Sequence, residues 1–349
     1  MIREMRIMRL KDIAEEAGVS VSTVSRVLSG KNIHAASPEL RDRILDIAHR
    51  EKFTQNAAAQ SLRHGTVYHS PEPRVVACIF ARTPSKDPFF MQLSRSATDY
   101  FIQQGCIVKY TLSLQEVSSE MILDIFSENR LDGVVILGRC ESDFMVKVHS
   151  LIKNLIYVSL NKRDIQYDQV LCDGFKAGEA AVDQLYALGH RKIGYIGELN
   201  DEIRYKAYEH YMSTSQGLVL EPQRIVDVIL SAEGGYSGMM QLMERSPDTT
   251  GVFCANDTTA MGALRACRKL GLNVPKDISI IGMDDLDTSQ YLSPLLSTVH
   301  IPISEMGCMA AKILLSRIDH EHNTPIIVSF PSHPILRESC AKPRITLPC

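Results

Sequence analysis

From Arg74 to Ile281 the chain alternates short apolar runs with helical stretches, and this alternation restricts its possible folds more than any other feature. The apolar runs are Val75–Phe80, Ile107–Leu112, Gly133–Leu137, Leu155–Ser159, Ile193–Ile196, Ile225–Ile229, Gly251–Cys254 and Ile278–Ile281. Between most of them lie stretches of helical periodicity such as Phe89–Gln104, Phe175–Leu188 and Thr258–Leu270. Strands that are apolar on both sides must be covered on both faces, and a helix after each strand supplies the cover, which is the pattern of parallel α/β sheets. Eight such runs exceed one comfortable sheet. The reading is therefore two lobes facing across a cleft, with ligand groups expected outside the carboxyl ends of the strands.

The amino-terminal part is different. Leu10 to Leu28 reads LKDIAEEAGVSVSTVSRVL, with Leu10, Ile13, Ala14 and Ala17, then Val21, Val24, Val27 and Leu28, at helical spacing. Gly18-Val19-Ser20 leaves room only for a tight turn. Gly18 can end the first helix in the left-handed conformation, and Ser20 can cap the second. This is the form of a helix-turn-helix, whose second helix would present Ser22, Thr23, Ser25 and Arg26 to a DNA major groove. Read alone, the same spacing also fits an ordinary helical hairpin. Ser37-Pro38-Glu39 then signals a third helix, capped by Ser37, with Ile44, Leu45, Ile47 and Ala48 as its apolar stripe. Arg41, Arg43, Arg50 and Lys52 lie on its other faces, within reach of phosphates or simply solvated.

Asn56 to Arg63 is a short stretch of good helix formers with Leu62 as its one large apolar projection. Alone in water so short a helix is unstable, and a leucine of this kind can serve as a wedge between base steps in a minor groove. His64 to Pro73 breaks any helix. The first 66 residues hold 11 Lys+Arg against 8 Asp+Glu, and the remainder 27 against 33, a basic head on an acidic body. Nine cysteines show no CxxC and no Cys/His cluster, so free thiols in a reducing cytoplasm are expected, with no metal site and no cofactor. No apolar run approaches the ~20 residues needed to span a bilayer, and the start does not resemble a secretory signal.

The chain resembles the lactose/galactose-type repressors of bacterial transcription. The resemblance runs from Leu10 to about Cys340, through LKDIAEEAGVSVSTVSRVL, NAAAQSL, PFF at 88–90, LDGVVIL at 131–137, LGHRKIGYIG from 188, VFCANDTTAMGALRACRKLGLNVPKDISIIGMDD at 252–285 and ILRES at 335–339. It implies an all-α helix-turn-helix head at 8–55, a hinge helix and linker at 56–73, and a two-lobed α/β sensor at 74–349 like the periplasmic sugar-binding proteins. The lobes are expected at about 74–168 with 301–330, and about 169–297 with 331–349. The implied protein is a cytoplasmic homodimer that binds a near-palindromic double-stranded operator and releases it when a small sugar-like effector enters the sensor.

Residue roles follow from the same resemblance. Ser20, Val21, Ser22, Thr23, Ser25 and Arg26 form the DNA-reading helix and its cap, with Val21 and Ser22 at the base-reading positions. Asn56, Ala59 and Leu62 match the hinge, where Gln60 stands in place of a frequent Arg. Phe90, Asn161, Arg204, Tyr236, Asn256, Asp257 and Asp284 sit at or beside effector positions. Asp284 would accept from paired hydroxyls, Arg204 would donate a fork, and Tyr236 would stack on a ring. Asn161 replaces a frequent Asp, Met283 an aromatic and Gly174 an Asn. Blander roles exist for these residues: Asp284 and Asp285 as caps, Asn256 as the cap of the helix at Asp257, Tyr236 as core. The rival functions are a solute-binding protein without a regulatory role and an enzyme. The chain shows no GxSxG, P-loop or GxGxxG after a first strand, and His190 has no recognisable nucleophile beside it, so no catalysis is expected.

Overall fold

The structure is a computed structural model that describes residues 10–28, 36–82, 87–163 and 166–344 apart from 51–71. It divides into two compact units, 1–72 and 73–349, each considered by itself. The hinge residues Asn56, Ala59 and Leu62 lie outside the described residues.

In the first unit, α1 (Leu10–Ala17), α2 (Val21–Leu28) and α3 (Pro38–Arg50) close on a core of Ile13, Ala14, Ala17, Val24, Val27, Ile44, Ile47 and Ala48. Gly18 takes φ +71°, the left-handed turn that ends α1, and the Val19 N–H returns to the Ala14 carbonyl at 3.0 Å. Ser20 Oγ accepts the Thr23 N–H at 3.2 Å, and Ser37 Oγ accepts that of Leu40 at 3.4 Å. Both expected caps are in place. Arg43 donates to the Glu16 carbonyl at 3.4 Å and Arg50 pairs with the Glu16 carboxylate, so these two arginines brace α3 against α1.

The second unit holds two parallel sheets. The first has the order β11-β5-β4-β3-β1-β2, built from β1 (Val75–Phe80), β2 (Ile107–Ser113), β3 (Gly133–Leu137), β4 (Leu155–Ser159), β5 (Asp168–Cys172) and β11 (Ile327–Phe330). The second has the order β7-β6-β8-β9, from β6 (Ile193–Gly197), β7 (Ile225–Asp227), β8 (Gly251–Cys254) and β9 (Ser279–Ile281). β10 (Thr298–His300) and β12 (His333–Ile335) form an antiparallel pair of their own.

Alternation along each strand divides the cores. Val76, Cys78 and Phe80 of β1 pack on one side of the first sheet with Leu93 and Phe101 of α4 (Pro88–Gln103) and Leu314 of α11 (Ile303–Ile318). Ala77 and Ile79 face the other way, onto Phe126 of α5 (Ser119–Glu128) and Phe144 of α6 (Ser142–Leu151). In the second sheet Tyr195 and Phe253 point toward Leu185 of α7 (Gly174–Ala187) and Tyr208 of α8 (Ile203–Thr214). Ile196, Val252 and Cys254 point toward Met239 of α9 (Ala232–Arg245) and Ala263 of α10 (Asp257–Leu270). Cys78, Cys140, Cys172 and Cys254 are buried thiols, and burial pushes those of Cys78, Cys140 and Cys172 up to about 12.

The chain passes between the sheets after β5, around β10 and again between β11 and β12. The first passage lies later than the sequence indicates. β5 pairs with β4 and β11, so the first lobe runs on to Cys172 instead of ending at 168. The apolar signal is hidden because the strand opens with Asp168 and Gln169, both fully buried. Asp168 is accommodated by Arg317, by His322 Nε2 at 3.2 Å and by the Ile326 N–H at 2.8 Å, all distant in sequence.

Candidate functional site

Between the two sheets the loops that follow parallel strands enclose a cavity of about 340 Å³. Arg82 follows β1, Gly138 and Arg139 follow β3, and Asn161 follows β4; from the other lobe come Glu198 after β6, Asn256 after β8 and Asp284 after β9. Every one of them sits just beyond the carboxyl end of its strand, where an open parallel sheet exposes backbone and side chains without a helix to cover them. The volume is that of a small-molecule site.

The floor is polar and unusually incomplete. Arg204, at the start of α8, is gripped by Glu202, with Nε to Oε1 at 2.7 Å and Nη2 to Oε2 at 2.9 Å, and its Nη1 reaches the Ala255 carbonyl at 2.9 Å. Burial alone would raise the Glu202 carboxyl, but the Arg204 charge and hydrogen bonds hold it at about 2. Asn256 caps α10, its Oδ1 accepting the Thr259 N–H at 2.9 Å, while its residue also lines the cavity. The cap read from the sequence is therefore in place, and the same residue stands at the cavity wall.

Asp284 is 2% exposed, and its carboxylate accepts no hydrogen bond from the described residues. Burial raises its pKa well above the ordinary range; the nearby Asp257 charge adds to this, and Arg204 opposes it. Its φ of +126° is a conformation that side chains rarely adopt. Asn161 Oδ1 is buried without a partner among the described residues. Buried acceptors of this kind are uncommon in folded proteins and call for donors from elsewhere.

Phe90 forms an apolar wall, edge-on to Phe80 at 6.4 Å and to Phe89 at 5.3 Å between ring centroids. Gly138, at φ +89°, makes room for it: a Cβ there would stand 2.6 Å from Phe90 Cζ. Thus Phe90, Asn161, Arg204, Asn256 and Asp284 come together in one cavity.

Two expected residues do not join them. Asp257 is fully buried beneath the site, accepting from Thr298 Oγ1 at 2.6 Å, Ser289 Oγ at 2.7 Å and the Leu286 N–H at 2.9 Å. Its neighbour Asn256 takes the cap, which turns Asp257 inward. Tyr236 lies on α9 against the α10 side of the second sheet, with the Arg265 guanidinium 4.9 Å from its ring centroid, and does not line the cavity. The sequence reading omits Glu198, Glu202, Asp87 and Arg139, which do line it. Glu202 and Asp87 carry a local signal, Glu202 as the acidic cap two residues before Arg204 and Asp87 as the acidic cap before Pro88. His190 is structural: its ring nitrogens meet Thr250 Oγ1 and the Ala341 carbonyl, each at 2.9 Å.

In the head, Ser22 and Arg26 are exposed on α2, and Thr23 and Ser25 are half-buried. Ser20 Oγ also meets Ser22 Oγ at 2.7 Å and Thr23 Oγ1 at 2.9 Å. Val21 is half-buried against the three-helix core, which leaves part of its side chain on the same surface as Ser22.

Residues 9–56 match the family described as bacterial regulatory proteins, lacI family, and residues 182–340 match the periplasmic binding protein-like domain. The chain is 31% identical over 336 residues to the ribose operon repressor of Haemophilus influenzae, covering 95% of this chain and 98% of that one. It belongs to the LacI family. A second relative, the transcriptional repressor PurR of the same organism, is 30% identical over 320 residues, covering 89% of this chain and 91% of its own. The solved complex of the transcriptional regulator CelR with cellobiose shares the fold, with a TM-score of 0.69 at 23% identity, covering 95% of this chain and 99% of that one.

As a LacI-family member the chain is a ligand-responsive DNA-binding regulator, and these relatives are repressors, not enzymes. The helix-turn-helix head sets aside the solute receptor without a regulatory role. Among the described residues no His, Cys, Asp and Glu cluster suits a metal ion, and no helix is long and apolar enough to cross a membrane.

Proposed function

We propose that this protein is a cytoplasmic homodimeric repressor of carbohydrate-utilisation genes that releases its operator when a sugar-like effector binds between the sensor lobes. The observation that carries the reading is Asp284: a buried carboxylate in a strained backbone, with no donor of its own, facing the cavity beside Arg204 and Asn256. A polyhydroxylated ligand supplies the missing donors, Arg204 and Asn256 orient it, and Phe90 covers its apolar face. Asn161 Oδ1 gives a second acceptor from the opposite lobe. A ligand held by both lobes favours the arrangement in which they meet, and by linkage its affinity and the operator's affinity change reciprocally.

On the DNA side, Val21, Ser22 and Arg26 would read base edges and phosphates, with Ser20, Thr23 and Ser25 holding the helix against the backbone. Asn56, Ala59 and Leu62 would fold into the central minor groove, Leu62 as wedge. The names of the relatives support a sugar, one being a ribose operon repressor and one fold neighbour holding cellobiose. The deciding experiment pairs thermal shift against a panel of free sugars with gel shifts on a near-palindromic operator. A sugar that raises the melting temperature and lowers operator affinity supports the reading. A sugar that tightens operator binding overturns the inducer role, and purines acting where all sugars fail overturns the carbohydrate assignment.

A further inference from the structure

Glu198 stands on the second lobe and receives a guanidinium on each oxygen from the first: Arg82 on Oε1, and Arg139 on Oε2 at 3.3 Å. Arg139 is held further by the Asn200 carbonyl at 3.2 Å and by that of Asp201. All three ionised side chains are mostly sheltered, Glu198 at 21% exposure. With Arg204 committed to Glu202, each guanidinium that lines the cavity is already paired with a carboxylate, and no lysine of the described residues lines it. The carboxyls left over are Asp284 and Asp87. Asp87 spends one oxygen on the Phe89 N–H at 3.1 Å as the cap of α4. Burial favours the neutral form of both carboxyls, so the cavity offers no open cation although three arginines surround it.

We propose that Glu198 sets the charge specificity of the cleft: by occupying Arg82 and Arg139 it withholds both guanidiniums from the ligand, so the effector is an unphosphorylated, hydroxyl-rich compound and not a phosphate ester. This rests on reading the cavity as the effector site. A phosphoryl group there would carry its charge into a sheltered medium with no unpaired cation to receive it, and burying an unpaired charge is costly. Remove the Glu198 charge, and two converging guanidiniums become a fork-shaped anion site.

The test uses the full chain and compares the wild type with Glu198→Gln, which preserves shape and removes the charge. Inorganic phosphate at constant ionic strength is the first probe, and the pair ribose and ribose 5-phosphate is the second. Wild type should be indifferent to phosphate. Glu198→Gln should gain a phosphate-dependent rise in melting temperature and at least a tenfold gain in relative affinity for ribose 5-phosphate. Adding Arg139→Gln to that variant should abolish the gain. Stabilisation of wild type by phosphate, or equal indifference of wild type and Glu198→Gln, overturns the proposal. If the phosphate arm behaves as expected while no sugar binds, the charge filter stands and the sugar-effector reading falls.

Discussion

Glu202 holds Arg204 with both carboxylate oxygens, and its Oε1 also accepts the Arg204 backbone N–H at 3.1 Å. One acidic residue thereby caps α8 and aims a buried guanidinium across the floor of the cleft. Replacing it with Gln strands the Arg204 charge in a sheltered site, and loss of one partner of a buried pair costs about 3–5 kcal/mol. The Glu202 pKa lies below its ordinary 4.5, near 2, so its stabilisation is complete above pH 4.5 and is lost as pH falls toward 2. Urea titrations from pH 2 to 7 should show Glu202→Gln less stable at neutrality and flatter in the acid window. Parallel curves for the two proteins would remove Glu202 from this role.

Asp284 behaves in the opposite sense. Burial raises its pKa, so the folded chain retains a proton there that the unfolded chain has lost, and the residue costs stability as pH rises through that interval. Asp284→Asn should raise the melting temperature of the ligand-free protein at pH 7. It should also weaken effector binding by about 1.5–3 kcal/mol, the worth of hydrogen bonds to a charged group, or roughly 10- to 150-fold. In wild type the affinity should decline on acidification, and in the variant it should not. Calorimetry at several pH values checks both, and an unchanged affinity in Asp284→Asn removes the central contact of the proposed function.

Asp257 separates structure from recognition. Its three hydrogen bonds tie the start of α10 to Leu286, Ser289 and Thr298. Asp257→Ala leaves those donors without an acceptor, at about 1–3 kcal/mol for each group that stays buried. Denaturant unfolding should register a large loss. Among folded molecules, effector affinity should change less than it does in Asp284→Asn, and the reverse ranking would return Asp257 to the ligand.

At Gly138 the backbone φ and the Phe90 ring both oppose a side chain. Gly138→Ala should cost about 1–3 kcal/mol through strain and overpacking. It should also displace Phe90 and weaken the effector. A variant with unaltered stability and affinity would mean the wall yields freely.

In the head, Arg26→Ala should weaken operator binding by about 1–3 kcal/mol if Arg26 reads a base, and reduce discrimination at that base pair. Competition gel shifts against single-base operator variants check this. A uniform loss on all sequences would reassign Arg26 to a phosphate.

The sequence disclosed most where burial is two-sided. Gly133–Leu137, Leu155–Ser159 and Gly251–Cys254 have the bounds read from their apolar runs, because a covered parallel strand leaves no polar position inside it. β5, β10, β11 and β12 escaped. β5 opens on two buried polar residues rescued by distant partners, β10 and β12 are three residues each, and β11 is an edge strand with alternating exposure. In the cleft, Arg204, Asn256 and Asp284 are legible through the family resemblance, and Asn256 and Asp284 also follow the ends of apolar runs. Glu198 is not legible, since its meaning depends on Arg82 and Arg139, brought to it from 116 and 59 residues away by a fold that local spacing does not encode.

Asp284 and Asp285 are adjacent, both with positive φ, yet their carboxylates belong to different worlds. Asp285 binds Arg337 Nη2 at 2.6 Å and His300 Nδ1 at 2.9 Å, on and beside the two short strands where the chain passes between the lobes. Asp284 opens on the cavity. A single peptide plane therefore joins the residue that opens on the cavity to the one tied to the crossover strands, like a crank fixed directly to its axle. Because that plane is rigid, a displacement of one residue is imposed on the other by covalent geometry and not by packing.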